Sequence, residues 1–233
     1  MIGGSAGIGL ETARRARAEG AEVILTGRNR DRLEQAAREL GAQSTAAFDA
    51  TDATGLEQFF QGLPAQVDHV MVTAGGAYYA LLADVDLAEA RRSFDDRVWL
   101  ALRIAQLAVG TVRPGGTLLF ISGTGGRRPG VGLSVIGAST AAMPAVVANL
   151  ALEIAPVRVN LIAAGFVDTP LSASLLGDQL ETRRDQLRST LPIGRVVGPG
   201  DVAALAVHLM SNTAVTGATY DIDGGERLVP PGE

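Results

Sequence analysis

Three glycines near the amino terminus, Gly3, Gly7 and Gly9, stand in a G-x-x-x-G-x-G spacing that opens a helical stretch near Ile8. Glycine lets the main chain approach a phosphate closely, and a helix start offers free N–H groups and a partial positive charge. The loop, with Ser5 and Ile8 in it, therefore suits a pyrophosphate. Glycine is plentiful, at 29 of 233 residues, and tight turns use it anyway, so the loop alone decides little. A second signal follows the next strand. An acid there would accept hydrogen bonds from a ribose 2′-hydroxyl and favour NAD. The chain instead reads Thr26-Gly27-Arg28-Asn29-Arg30, and an arginine suits a 2′-phosphate through charge-assisted bonds. NADP(H) is thus expected over NAD(H). The alternative is that Arg28 and Arg30 are solvated helix-end charges facing Asp31 or Glu34.

Other chemistries find little support. The chain has no cysteine, which excludes disulfides and thiolate metal sites. Its two histidines, His69 and His208, fall at a strand start and a helix end, and no His/Asp/Glu cluster has metal-ligand spacing, so no metal is expected. The net charge is −5 and the arginines are interspersed with acids, so no nucleic-acid stripe or polybasic membrane anchor is expected. No apolar run of about 20 residues and no leader is recognised. A cytoplasmic protein is the expectation. All twenty basic residues are arginine; lysine is absent.

Several elements must position these groups. Short β-branched or aliphatic runs read as buried strands: Val23 to Thr26, Thr45 to Phe48, His69 to Thr73, Thr117 to Ile121, Val157 to Ile162 and Ala218 to Ile222. Amphipathic stretches lie between them: Ile8 to Glu19, Arg30 to Leu40, Thr54 to Leu63, Leu87 to Val109, Ser139 to Ile154 and Pro199 to Met210. This alternation predicts an α/β fold, a doubly wound parallel sheet with helices on both faces, in one domain over 1–233. Leu171 to Pro192 is the least regular stretch and is expected to form a lid of short helices, near 171–193. The strand before the glycine loop would be central in such a sheet, yet only Met1 and Ile2 precede Gly3. The natural reading frame is accordingly expected to start several residues upstream.

In combination these features resemble the short-chain dehydrogenase/reductase family over essentially the whole chain. Gly3-Gly4-Ser5-Ala6-Gly7-Ile8-Gly9 matches the family's nucleotide loop, and Asp49-Ala50-Thr51-Asp52 resembles its adenine-contacting segment. Val72-Thr73-Ala74-Gly75 sits where the family has Asn-Asn-Ala-Gly. Arg158-Val159-Asn160 through Gly165, then Asp168-Thr169-Pro170, is similar to its Arg-Val-Asn…Pro-Gly segment, and Asp223-Gly224-Gly225 to its last strand. The resemblance implies a Rossmann fold and a nicotinamide cofactor contacted by Gly3, Ser5, Gly7, Ile8, Gly9, Arg28, Asn29, Asp49, Ala50, Ala74, Gly75, Gly165, Val167 and Thr169. It also implies a homodimer or homotetramer, through the two long helices and the last strand.

Family members move a hydride between the nicotinamide and a carbonyl or alcohol carbon. They use a tyrosine acid/base, a lysine four residues later, a serine and an asparagine. The corresponding positions here are Ile136, Thr140, Gly123 and Arg97. Realignment cannot restore the pair, because lysine is absent and the tyrosines are Tyr78, Tyr79 and Tyr220. Losing general acid–base catalysis typically slows a reaction by about 10²–10⁴-fold. Substitute candidates are Tyr78 or Tyr79 as proton donor, with Arg97, Arg127 or Arg128 as neighbouring cation, and Ser122 as a hydrogen-bonding group; Thr124 and Ser134 are similar but equally suited to capping turns. Two readings follow: an NADP(H)-dependent oxidoreductase with a non-standard catalytic set acting on a small apolar carbonyl compound, or a catalytically degenerate relative serving as cofactor sensor, regulator or partner subunit.

Overall fold

Parallel pairing dominates the computed structural model, which describes residues 1–64 and 66–229. Ala65 and residues 230–233, part of the expected single domain, lie outside the described residues. Strands β1 (Ile24–Gly27) and β2 (Ser44–Ala47) pair with each other, and β3 (Val67–Val72), β4 (Val112–Gly123), β5 (Arg158–Ala164) and β6 (Thr219–Ile222) form an ordered set of four. Every pairing is parallel. The two sets meet through one residue. Ile2, 1% exposed, bridges Thr26 on one side and Val72 on the other. Its N–H donates to Met71 O at 2.8 Å, and Thr73 N–H donates to Ile2 O at 2.8 Å. The Met1 ammonium donates to Ile24 O at 2.8 Å, and burial pushes its pKa down to about 5.

Helices cover both faces, as expected. They are α1 (Gly7–Ala18), α2 (Arg30–Leu40), α3 (Ala53–Gln61), α4 (Leu87–Phe94), α5 (Leu100–Ala108), α6 (Ser134–Glu153), α7 (Pro170–Leu176), α8 (Leu180–Thr190) and α9 (Pro199–Ser211). Side chains alternate across a strand, and β4 shows the consequence. Leu118 and Phe120 join a core with Leu56, Ile104 and Val147, from α3, α5 and α6, whereas Leu119 joins Val202 and Leu209 of α9. A smaller cluster seats α1 and α2 on β1 through Ala13, Leu25 and Leu33. β5 is buried at every position, as a strand covered on both faces must be.

Four expectations are corrected. The stretch Leu87 to Val109 is helical without interruption to Ala108 but not α-helical throughout, because a π-helical turn at Asp95–Trp99 joins α4 to α5. Strand β4 begins at Val112 rather than Thr117, and α6 at Ser134 rather than Ser139. α6 is also long and apolar enough to cross a membrane by length and composition, against the expectation that no such stretch exists. Here it packs on β5, with Met143, Val147 and Leu150 in the core. The stretch Leu171 to Pro192 holds α7, a 3₁₀ turn at Gly177–Gln179 and α8.

The Arg158-Val159-Asn160 motif ties the sheet together. Arg158, 6% exposed, donates to the carbonyls of Gly115, Leu209, Met210, Asn212 and Val215 and to Thr117 Oγ1. Asn160 donates to Val215 O at 3.0 Å and accepts from Ala218 N–H at 3.3 Å. Together they fasten the end of α9 and the 212–218 loop to β5.

Candidate functional site

Because the strands are parallel, their C-terminal ends lie along one edge, where open α/β sheets bind ligands. The residues expected to contact a cofactor collect there. Gly3 to Gly9 follow the Ile2 bridge, Arg28 and Asn29 follow β1, Asp49 and Ala50 follow β2, Ala74 and Gly75 follow β3, and Gly165, Val167 and Thr169 follow β5.

The glycine loop is a cradle that side chains would fill. A Cβ at Gly3 (φ +93°) would lie 2.5 Å from Thr73 Oγ1, and one at Gly9 would lie 2.3 Å from Gly3 O. Thr73 clamps the loop from below, donating to Gly3 O at 2.9 Å. Across the cradle, the nearest atoms to a Cβ at Gly7 (φ +53°) belong to Thr169, at 3.5 Å. The start of α1 has no side-chain cap and no acid in its first turn. By contrast, Asn29, Asp52, Asp86 and Thr169 cap α2, α3, α4 and α7 with their own side chains. An uncapped helix start behind a glycine loop leaves N–H groups free for an anion.

At the end of β1, a Cβ on Gly27 would lie 2.8 Å from Ser5 Oγ. Ser5 is itself buried, so the space an acid would need is taken. Arg28, whose side chain is 80% exposed, lies 3.9 Å from Asp49. Asp49 also accepts from Thr51 N–H at 3.0 Å and from its hydroxyl at 2.9 Å, which shapes the turn after β2. Asn29 Oδ1 accepts from Arg32 N–H at 2.9 Å, a cap rather than a free side chain. Ala50 and Val167 are buried, and Val167 bridges Val197.

The four positions assigned by resemblance to the catalytic set are close neighbours. Thr140 Oγ1 donates to Ile136 O at 2.8 Å and lies 3.0 Å from Gly137 O, so its hydroxyl is held within α6. Ile136 is buried. A Cβ at Gly123 would be 3.5 Å from Thr140 Cγ2. Gly123 and Thr140 line a cavity of about 180 Å³ with Gly126, Arg127, Ala141 and Pro144. The fourth position, Arg97, sits on the π-helical turn. Its guanidinium donates to Gly76 O at 3.1 Å and reaches Ser122 Oγ at 3.4 Å, spanning the ends of β3 and β4. Burial lowers its pKa, opposed by the neighbouring Tyr79 and Asp96. Burial also raises the Asp96 pKa, with the Asp49 and Asp95 charges adding to it.

Among the substitute candidates, Ser122 meets Arg97 at 3.4 Å, and Tyr79, which is exposed, acts on that guanidinium electrostatically. Tyr78 is turned elsewhere, its Oη accepting from Asp86 N–H at 2.8 Å at the start of α4. Arg127 and Arg128 are not free cations beside the tyrosines: Arg127 pairs with Asp221, and Arg128 with Glu226 at 2.8 Å. Ser134 is the first residue of α6, and Thr124 is buried beside it in the β4–α6 connection. His69 lies within β3 with Nδ1 buried and unpartnered, and burial lowers its pKa. His208 lies in the last turn of α9. Among the described residues no group of three His, Asp or Glu could hold a metal.

Sequence reasoning missed a carboxylate. Glu226, 9% exposed, accepts from Arg183 of α8 at 2.8 Å as well as pairing with Arg128, and it receives Phe166 N–H at 3.4 Å. Arg184 of α8 pairs with Asp168 at 2.6 Å. The α7–α8 segment is thus tied to the sheet's edge by two ion pairs. Adjacent arginines at 183 and 184 were the available signal; their partners are distant in sequence.

A family model described as enoyl-(acyl carrier protein) reductase matches residues 3–226. The chain is 29% identical to the short-chain dehydrogenase/reductase ATR9 of Stachybotrys chlorohalonatus, over 98% of its own length and 96% of that protein's. It is 30% identical to an NADP-dependent (R)-specific alcohol dehydrogenase of Lentilactobacillus kefiri, over 97% of this chain and 94% of the relative. Among solved structures, BdcA in complex with NADPH has a TM-score of 0.85 and 27% identity, covering 96% of this chain and 91% of that one.

Proposed function

The chain belongs to the short-chain dehydrogenase/reductase family, and from that premise we propose an NADP(H)-dependent oxidoreductase that works without the family's tyrosine and lysine. The observation that carries this reading is the glycine cradle in front of an uncapped α1, facing Thr169. The N–H groups of residues 7 to 9 would hold the pyrophosphate. Gly27 and Arg28 support NADP over NAD, because the acid that would bind a 2′-hydroxyl is replaced by glycine under Ser5, and an exposed guanidinium follows. When bound, the nicotinamide supplies or accepts the hydride at a carbonyl or alcohol carbon.

This chain's own part is to orient the substrate oxygen and move its proton. Ser122 Oγ, 3.4 Å from the Arg97 guanidinium, is the group to hold that oxygen, and Tyr79, which acts electrostatically on Arg97, is the phenol to donate. Tyr78 is less suited, since its Oη serves Asp86. We place assembly on α4 to α6, where Leu87, Trp99, Val109 and Leu152 stay exposed, as a homodimer or homotetramer.

Titration with NADPH and NADH, followed by Trp99 fluorescence and melting temperature, tests the cofactor reading. NADPH is expected to bind at least about tenfold more tightly than NADH, and Arg28→Ala to erase that preference. Absence of NADPH binding would sink the proposal. The second reading, a cofactor sensor, is favoured by the Thr140 hydroxyl being held within α6 and by the bare Gly123. NADPH binding with no consumption across ketones, quinones and enones would select it.

A further inference from the structure

Arg97 is a half-buried cation that the surrounding side chains and carbonyls answer only in part. Among the described residues no carboxylate oxygen lies within 4.0 Å of its guanidinium, although fifteen pairs of that kind join other arginines to acids. Its contacts are one carbonyl at 3.1 Å and one hydroxyl at 3.4 Å, while its Nε–H is shut away from solvent with no acceptor. Withdrawing a cation from water is costly unless an anion or a full set of acceptors replaces the water. Arg97 has neither. Asp96 is its nearest acid by electrostatic effect, but its own carboxylate is held back by burial and by Asp49 and Asp95.

The surroundings describe what would complete it. The guanidinium lies between the ends of β3 and β4, at the edge where the proposed cofactor site is built. The loops that follow these strands meet, with Ala80 N–H donating to Gly132 O at 3.3 Å. Near that meeting point the chain exposes Leu81, Leu82 and Val131, the last two at 82% and 88%. A planar, forked cation is matched best by a planar carboxylate. The exposed apolar side chains of the two loops suit a hydrocarbon body.

We propose that Arg97 is the recognition group for a carboxylate, and that the substrate taken here is a small organic acid with an apolar body. This deepens the oxidoreductase reading and rests on it for the role of the site. The position that the family resemblance gives to a neutral asparagine would thus have become a charge-selecting one.

The test pairs acids with their neutral esters. Phenylpyruvate against methyl phenylpyruvate, and levulinate against methyl levulinate, are titrated by calorimetry into the full chain with and without saturating NADPH. At least one acid is expected to bind about tenfold or more tightly than its ester. Arg97→Asn is expected to bring acid and ester within about twofold, and Arg97→Lys to keep part of the preference, since it keeps the charge but loses the fork. Equal binding of acid and ester by the unmodified protein, binding of neither in both pairs, or a preference surviving in Arg97→Asn overturns the inference. Should Arg97→Asn fail to fold, the acid–ester contrast in the unmodified protein and in Arg97→Lys still decides. Failure of NADPH to bind would count against the cofactor reading alone, because the contrast is also read without cofactor.

Discussion

Arg158, which is buried, and Arg97, which is half-buried, both lack a carboxylate partner among the described residues, and they differ in almost everything else. Arg158 lies at the start of β5 and is met by five main-chain carbonyls and one hydroxyl. Arg97 lies on a π-helical turn at the opposite end of the neighbouring strands and meets one carbonyl and one hydroxyl. Burial lowers the pKa of both. For Arg158 the surrounding oxygens replace the lost water, so the charge serves the fold. For Arg97 they do so only in part, and on that difference the proposed carboxylate-binding role rests. An incompletely satisfied, half-buried cation at the C-terminal edge of a parallel sheet points to function, whereas a saturated one points to construction.

The contrast can be broken most sharply at Arg158. Arg158→Met would leave the carbonyls at the end of α9 facing one another without donors, and a loss of about 3–5 kcal/mol is expected. Urea unfolding measures it, and a loss below about 1 kcal/mol would mean that those carbonyls find other partners. Arg97→Met should behave in the opposite way. Removing an uncompensated charge is expected to leave stability unchanged or to raise it by up to about 1 kcal/mol. A loss comparable to that of Arg158→Met would erase the distinction between the two sites.

A third, ordinary arginine calibrates both. Arg195 pairs with Asp201 through two oxygens, at 2.6 and 2.8 Å, on the surface. That pairing, with the Gly198 N–H, lowers the Asp201 pKa below its usual 3.8, while partial burial opposes. A depressed carboxylate stabilises the fold above its unfolded pKa, and the contribution disappears as pH falls through the folded one. Asp201→Asn should therefore cost under about 1 kcal/mol at neutral pH, given solvent screening. The difference in melting temperature from the unmodified protein should vanish in strong acid. A difference that persisted there would assign the effect to the cap on α9 rather than to the charge.

Much of the fold was legible because its signals are local. Glycine spacing, aliphatic runs and helical periodicity sit within windows of a few residues, and the order of motifs gave the sheet. The π turn inside Leu87 to Val109 was not legible, because it lies within continuous helix and only offsets the phase of the apolar face at Asp95–Trp99. The early start of β4 was hidden by Pro114, Gly115 and Gly116, residues that ordinarily end a strand. Of the proposed site, the loop glycines, Arg28 and Thr169 came from spacing and resemblance. The partners of Arg127, Arg128, Arg183 and Arg184 could not, since each lies 16 or more residues away: Asp221, Glu226, Glu226 and Asp168. Tyr78 and Tyr79 looked equivalent in sequence; a single hydrogen bond to Asp86 separates them.

By itself the sequence determined the layered α/β plan, the glycine-rich loop ahead of the first helix and the absence of any lysine. These follow from residue type and short-range spacing. Only the tertiary structure decided which arginines are answered by oxygen and which are not. That depends on how carbonyls and carboxylates from distant segments converge in space, and no local pattern encodes it. Arg97 and Arg158 are the same side chain in the sequence; the folded chain surrounds one with acceptors and leaves the other open at the ligand edge.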